Sequence, residues 1–265
     1  MVIPFLAFLF GLLIGSFLNV CIHRLPEEES VVHPRSRCPH CGQPIRWYDN
    51  IPVLSFVLLA GRCRDCQAAL SFLYPVVELA TGCLFVLVVA RFGLSMAALK
   101  AALFVALMLA LGATDLLTRL LPDELTLGGA GAGLALSLVH PLQPGLASLL
   151  LGVLGWRPSP RLGSAAESLL AATVSAGLLY LIAELYYRIR FREGMGLGDV
   201  KMMAMIGAFL GLRQAFLAVI LASIAGTVLG LLFILLFRKG LAYELPFGTF
   251  LAFSSIVLAV WGSET

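Results

Sequence analysis

The chain has 265 residues, 60% of them hydrophobic and only 12% charged, with a mean hydropathy of +0.98. That composition excludes an ordinary water-soluble fold, whose usage is close to half apolar. The formal net charge of +3 is small and its basic residues are spread between apolar segments, so nucleic-acid binding has no support.

Apolar stretches of about 17–25 residues, the length a helix needs to cross a hydrocarbon core of ~30 Å, recur along nearly the whole chain. Spans are expected at about 2–22, 73–92, 97–114, 124–140, 168–187, 200–213, 214–237 and 246–262, the sixth being short. The fold class read from this pattern is an all-α polytopic membrane protein of about eight transmembrane helices with one small cytoplasmic insert. Its parts are a first transmembrane helix at 1–22, the insert at 23–72 and a transmembrane domain at 73–265. The first segment has no basic n-region and no small-residue cleavage site, so it is expected to be retained as a span.

The insert holds the first motif. Cys38-Pro39-His40-Cys41 and Cys63-Arg64-Asp65-Cys66 are two C-x-x-C knuckles about twenty residues apart, the spacing of a four-thiolate zinc site. Four sulfurs close the tetrahedron and leave no open position, so the Zn2+ would be structural, stapling a segment too small to hold itself by a core. Disulfides are the alternative, disfavoured by a reducing cytosol. His40 is expected to be a bystander, and Cys21 and Cys83, inside apolar segments, read as small hydrophobes.

Orientation follows from Lys and Arg near the span ends. One set of connections holds Arg24, Arg35, Arg37, Arg46, Arg62 and Arg64, then Arg119, then Arg188, Arg190, Arg192 and Lys201, then Arg238 and Lys239. The other holds only Arg91, Lys100, Arg157, Arg161 and Arg213. The richer set marks the cytoplasmic side, which puts both termini outside the cytoplasm for an even number of spans. The stretch 141–167, with Pro141, Pro144, Pro158 and Pro160, reads as an extracytoplasmic loop whose apolar part rests at the interface.

Three acids then fall at span ends on the cytoplasmic side: Asp115 closes the third span, Asp123 opens the fourth and Asp199 opens the sixth. An ionised carboxylate near hydrocarbon costs about 2.5–3.5 kcal/mol even on lenient scales, so such an acid faces a partner or a watery cavity. Two carboxylates held close share a proton, and the pair can activate water without a metal or a covalent intermediate. Capping is the plainer reading for Asp123, which follows Pro122 at a helix start, and for Asp199, which follows a glycine. It does not serve Asp115, because the macrodipole disfavours an anion at a helix C-terminus. The run Gly194-Met195-Gly196-Leu197-Gly198-Asp199-Val200-Lys201 adds backbone freedom and room for another backbone to approach; it lacks the Lys-Ser/Thr ending and the preceding strand of a phosphate loop.

A polytopic ion- or proton-coupled transporter with a zinc-stapled insert is the alternative of a different class. It predicts acids near mid-bilayer and paired interrupted helices, neither of which this sequence offers. A zinc-stapled assembly platform without catalysis leaves Asp115 and the glycine-flanked Asp199 unexplained.

At this point the residues resemble a known family, the bacterial type IV prepilin peptidases (leader peptidase/N-methyltransferase) of the GxGD aspartyl protease class. The resemblance is carried by Gly15-Ser16-Phe17-Leu18-Asn19-Val20 through Arg24-Leu25-Pro26, by Pro34-Arg35-Ser36-Arg37-Cys38-Pro39, by Trp47-Tyr48-Asp49-Asn50-Ile51-Pro52 and by Gly61-Arg62-Cys63-Arg64. It continues in Asp115, in Leu121-Pro122-Asp123-Glu124-Leu125-Thr126 and in Gly196-Leu197-Gly198-Asp199-Val200-Lys201, and so covers nearly the whole chain. The chain departs from the family's usage at Leu73, where a basic residue is frequent, and at Met202, where leucine is common. The resemblance implies that Asp115 and Asp199 are the catalytic pair, with Asp123, Gly196, Gly198 and Lys201 in supporting roles. It implies cleavage of the short basic leader of type IV prepilins or type II secretion pseudopilins at the cytoplasmic face of the bacterial inner membrane. It also implies S-adenosyl-L-methionine-dependent methylation of the new N-terminus, associated with the cysteine-containing segment 23–72, and it assigns no residue to binding that methyl donor. Membrane lipid is the remaining partner implied.

Overall fold

A computed structural model describes residues 2–156, 158–191, 195–237 and 246–262. Arg157, Arg192, Gly194, Arg238 and Lys239, which carry part of the orientation argument and the start of the glycine run, lie outside the described residues. The regular elements described are helices, accompanied by two isolated β-bridges, Arg37 with Pro44 and Arg62 with Ala69. The chain forms two compact units, Met1–Ala98 and Leu99–Thr265.

The first unit holds α1 (Val2–Arg24), α2 (Leu54–Leu58) and α3 (Leu73–Phe92). Helices in lipid gain nothing from hydrophobic contact with one another, so their backbones pack closely where residues are small. α1 and α3 follow that rule: a Cβ on Gly11 would stand 2.7 Å from the Gly82 Cα, and one on Gly15 would stand 2.6 Å from the Glu78 Cα. Between these helices the two cysteine knuckles are built alike. The Cys38 N–H donates to the Gln43 carbonyl at 2.9 Å and the Cys63 N–H to the Ala68 carbonyl at 2.9 Å. Gly42 and Gln67, each four residues on from the first cysteine of its knuckle, both turn with positive φ, at 70° and 60°.

The second unit holds α4 (Met96–Thr118, beginning just before the division), α5 (Asp123–Val139), α6 (Leu146–Val153), α7 (Pro160–Arg190), α8 (Leu197–Leu210), α9 (Leu212–Phe237) and α10 (Phe247–Trp261). α8 packs against α5, α7, α9 and α10, and buries Met202, Met203, Met205, Ile206 and Phe209. Its contact with α7 is tied by hydroxyls, Ser168 donating to the Ala208 carbonyl at 2.8 Å and Ser175 to the Met203 carbonyl at 3.1 Å.

A helix stands at each of the eight positions expected for a span, and among the described residues five are both long and apolar enough to cross a bilayer: Val2–Glu27, Leu73–Phe92, Met96–Thr118, Pro160–Arg190 and Leu212–Phe233. α5, α8 and α10 have 17, 14 and 15 residues. At the helical rise α8 and α10 reach roughly 21–23 Å, short of the hydrocarbon thickness, while α5 stands at the lower limit for a span. The stretch 141–167 also differs from the expected loop. α6 forms within it, and α7 begins at Pro160 rather than near 168, because proline suits the first helical position and Glu167 points back to accept the Ala147 N–H at 2.8 Å.

Candidate active site

Asp115 lies in the last turn of α4 and Asp199 in the first turn of α8, and the first turn of α10 comes up to both. The two aspartates are buried, at 5% and 8% exposure. A Cβ placed on Gly248 would stand 2.9 Å from Asp115 Oδ2 and 3.3 Å from Asp199 Oδ1, so the two oxygens are separated by no more than the sum of those distances. Both carboxylates thus converge on a single point that only a glycine leaves open.

Thr249 holds one of them. Its backbone N–H donates to Asp115 Oδ2 at 2.7 Å, and its hydroxyl lies 3.1 Å from the same oxygen and 3.0 Å from the Gly112 carbonyl. Neither Gly248 nor Thr249 was among the residues singled out from the sequence. The available signal was faint: Pro246-Phe247-Gly248-Thr249 opens an apolar helix with a turn-forming pair and a hydroxyl.

Lys201 Nζ donates to both Asp123 oxygens, at 2.6 and 2.8 Å. α5 starts on Pro122 with no side-chain cap, so Asp123 spends its carboxylate on tying the start of α5 to α8 rather than on capping. With side-chain exposures of 35% and 56%, the pair is worth at most about 1 kcal/mol and acts as a positional tie. Asp199 stands three residues after Gly196, which opens α8 and has no side chain with which to cap it.

The glycines of the Gly196–Asp199 run serve differently from the expectation. Gly196 has φ −77°, which any residue adopts, and a Cβ there would make only ordinary contacts, 3.9 Å from the Gly198 nitrogen and 4.0 Å from Asp199 Oδ2. Gly198 is needed for packing, since a Cβ on it would stand 2.9 Å from the Leu121 Cβ. The close approach is therefore made by the Leu121-Pro122-Asp123 segment of this same chain.

In the first unit the Sγ atoms of Cys38, Cys41, Cys63 and Cys66 all lie within 4.8 Å of one another, and those of Cys38 and Cys66 are 3.8 Å apart. A tetrahedron with Zn–S bonds of ~2.3 Å has edges of about 3.8 Å, so the four thiols fit a zinc ion. None of the four is in a disulfide, and exposed His40 is not part of the cluster. Arg64, inside the second knuckle, donates to both oxygens of Asp49 at 2.9 and 2.6 Å. That hydrogen bonding holds the Asp49 carboxyl below the usual carboxylate range.

Residues 9–92 match the bacterial peptidase A24 N-terminal domain, and residues 102–231 match the type IV leader peptidase family. A prepilin leader peptidase/N-methyltransferase of Aeromonas salmonicida (strain A449) is 36% identical to this chain, over 98% of this chain and 91% of the relative. The chain belongs to the type IV leader peptidase family. A second such relative, from Aeromonas hydrophila, is 38% identical over 98% of this chain and 91% of its own length; one from Burkholderia pseudomallei (strain 1026b) is 36% identical over 97% and 85%. No solved structure matches the chain. Family membership, together with five long apolar helices, identifies a membrane-embedded peptidase and sets the transporter alternative aside.

Proposed function

We propose that this protein removes the leader from type IV prepilins through Asp115 and Asp199, and then methylates the new N-terminus. The observation that carries the reading is the convergence of two buried carboxylates from distant parts of the chain on Gly248, within a family of leader peptidases. Two such groups cannot both ionise easily, so they hold one proton between them. The ionised member takes a proton from a water molecule as the water oxygen attacks the scissile carbonyl carbon. The protonated member gives its proton to the carbonyl oxygen. As the resulting diol collapses and the C–N bond breaks, one diol hydroxyl returns its proton to the ionised member while the protonated member gives its proton to the leaving nitrogen, which leaves the pair again holding one proton. Thr249 holds Asp115 in position, the Asp123–Lys201 pair sets α5 against α8, and Gly198 admits Leu121.

The same reading takes pseudopilins as further substrates and places the protein in the bacterial inner membrane with the peptidase site at the cytoplasmic face. The excess of Arg in the insert and at 188–190 supports that orientation. Segment 23–72 serves as the cytoplasmic zinc-binding and methyltransferase domain, with Cys38, Cys41, Cys63 and Cys66 holding a structural zinc. S-Adenosylmethionine supplies an electrophilic methyl group there.

The test is leader removal from a purified prepilin in detergent by Asp115→Asn and Asp199→Asn variants. Asparagine is nearly isosteric and cannot exchange the proton, so each variant should lose cleavage while keeping its fold. Full activity in either would overturn the mechanism.

A further inference from the structure

The first unit contains a half-open cavity of about 530 Å3, within the range of small-molecule sites, lined by the ends of α1 and α3 and by the insert between them. Neither leader cleavage nor zinc binding uses it. Its lining is of three kinds. Glu78 is 7% exposed and lies inside an apolar helix, and Asn19 is 4% exposed. Burying such groups is costly unless each finds a polar partner. Glu78 Oε2 accepts the Val53 N–H at 2.7 Å, and this contact holds Val53 at φ 60°, a conformation β-branched residues avoid. Asn19 donates to the Tyr74 carbonyl at 3.0 Å, while its Oδ1 has no hydrogen-bond partner.

His23 and Tyr74, stacked with centroids 4.9 Å apart and planes 8° from parallel, supply the aromatic part of the lining. His23 Nδ1 lies 2.9 Å from the Asn19 backbone carbonyl, which only accepts, so Nδ1 is the donor, and in the neutral ring Nε2 is an acceptor. Arg24 supplies the cation. Its guanidinium is held by the Ser30 and Arg35 carbonyls at 2.9 and 3.4 Å, and among the described residues no carboxylate forms an ion pair with it.

A methyl donor of the adenosyl-sulfonium class carries a cation at sulfur, a planar base and an amino-acid carboxylate. Carboxylates and aromatic faces attract the sulfonium, an aromatic pair with a free acceptor suits the base and its amino group, and a guanidinium suits the carboxylate. We infer that this cavity is the binding site for S-adenosylmethionine, with Glu78, Asn19, His23 and Arg24 among its ligand-facing residues. The inference rests on the methyltransferase half of the proposed function and is independent of the peptidase half. The zinc staple bears on it through structure alone, since Cys38 forms part of the cavity wall.

The experiment uses the full-length zinc-loaded protein in detergent. Titration calorimetry with S-adenosylmethionine is run on the wild type, Glu78→Gln and Arg24→Gln, with methylation of a pre-cleaved pilin, leader cleavage and zinc content measured alongside. Affinity should fall at least tenfold in each variant, with cleavage and zinc content within twofold of wild type. Because Glu78→Gln could disturb the α1–α3 contact, the wild type is also photolabelled with 8-azido-S-adenosylmethionine and mapped by mass spectrometry. Label within 16–78, competed by S-adenosylhomocysteine, supports the site. Competed label confined to 99–262, or unchanged affinity in both variants of a wild type that methylates, overturns the cavity assignment. A wild type that neither binds the donor nor methylates refutes the methyl-transfer reading itself, and the inference falls with it.

Discussion

Replacing Gly248 with alanine probes the convergence of the two carboxylates without touching either of them. The new methyl would stand 2.9 Å from Asp115 Oδ2, 3.0 Å from its Cγ and 3.3 Å from Asp199 Oδ1, whereas ordinary contact begins at 3.4 Å. The Asp115 carboxylate must therefore retreat by about half an ångström, and the 2.7 Å bond from the Thr249 N–H is strained or lost as it does so. A misplacement of about 1 Å in an active site costs on the order of 10²-fold, so leader cleavage should slow between about tenfold and a hundredfold. Stability should change little in the same variant, because alanine is the better helix former by ~1 kcal/mol and that gain offsets the local strain. Initial rates on a purified prepilin, read by mass spectrometry, would be set beside thermal denaturation and methylation of a pre-cleaved pilin. A Gly248→Ala enzyme that cleaves at the wild-type rate would refute the placement of the reacting atoms between Asp115, Asp199 and α10. A variant that loses methylation and thermal stability together with cleavage would point instead to general misfolding.

Thr249→Val keeps the backbone donor to Asp115 but removes the hydroxyl, so cleavage should fall about tenfold, in line with one hydrogen bond to a charged group, and Thr249→Ser should recover most of it; equal loss in both variants would count against the bond. Asp123→Asn and Lys201→Met should each slow cleavage by less than about tenfold and shift stability by under ~1 kcal/mol, and their double variant should lose no more than the worse single one; simple multiplication of the two losses would show that the pair does not act as a unit. Purified protein should carry about one zinc, and Cys38→Ser or Cys63→Ser should remove it and unfold the insert while the helices of the second unit keep their thermal transition; metal-free protein with an intact insert would remove the structural-zinc reading.

The sequence by itself determined the class, the paired cysteine knuckles and the candidate aspartates, because each is a local signal. Apolar runs mark helices wherever the chain goes next, and two C-x-x-C pairs carry their ligand geometry within a few residues. Asp115 stood out because a carboxylate at the C-terminal end of an apolar helix opposes both the lipid and the helix dipole. Local signals did not decide how many helices are long enough to span, since α5, α8 and α10 lie in apolar stretches yet have only 17, 14 and 15 residues. Nor did they separate capping from pairing at Asp123, whose partner Lys201 lies 78 residues away in the chain. Only the tertiary structure brought Gly248 and Thr249 to the aspartates, across 134 residues in the case of Thr249 and Asp115. A glycine and a threonine opening an apolar helix carry no mark of the carboxylates they meet. Their roles come from close approach, which is a property of packed backbones and has no counterpart in the order of residues along a chain.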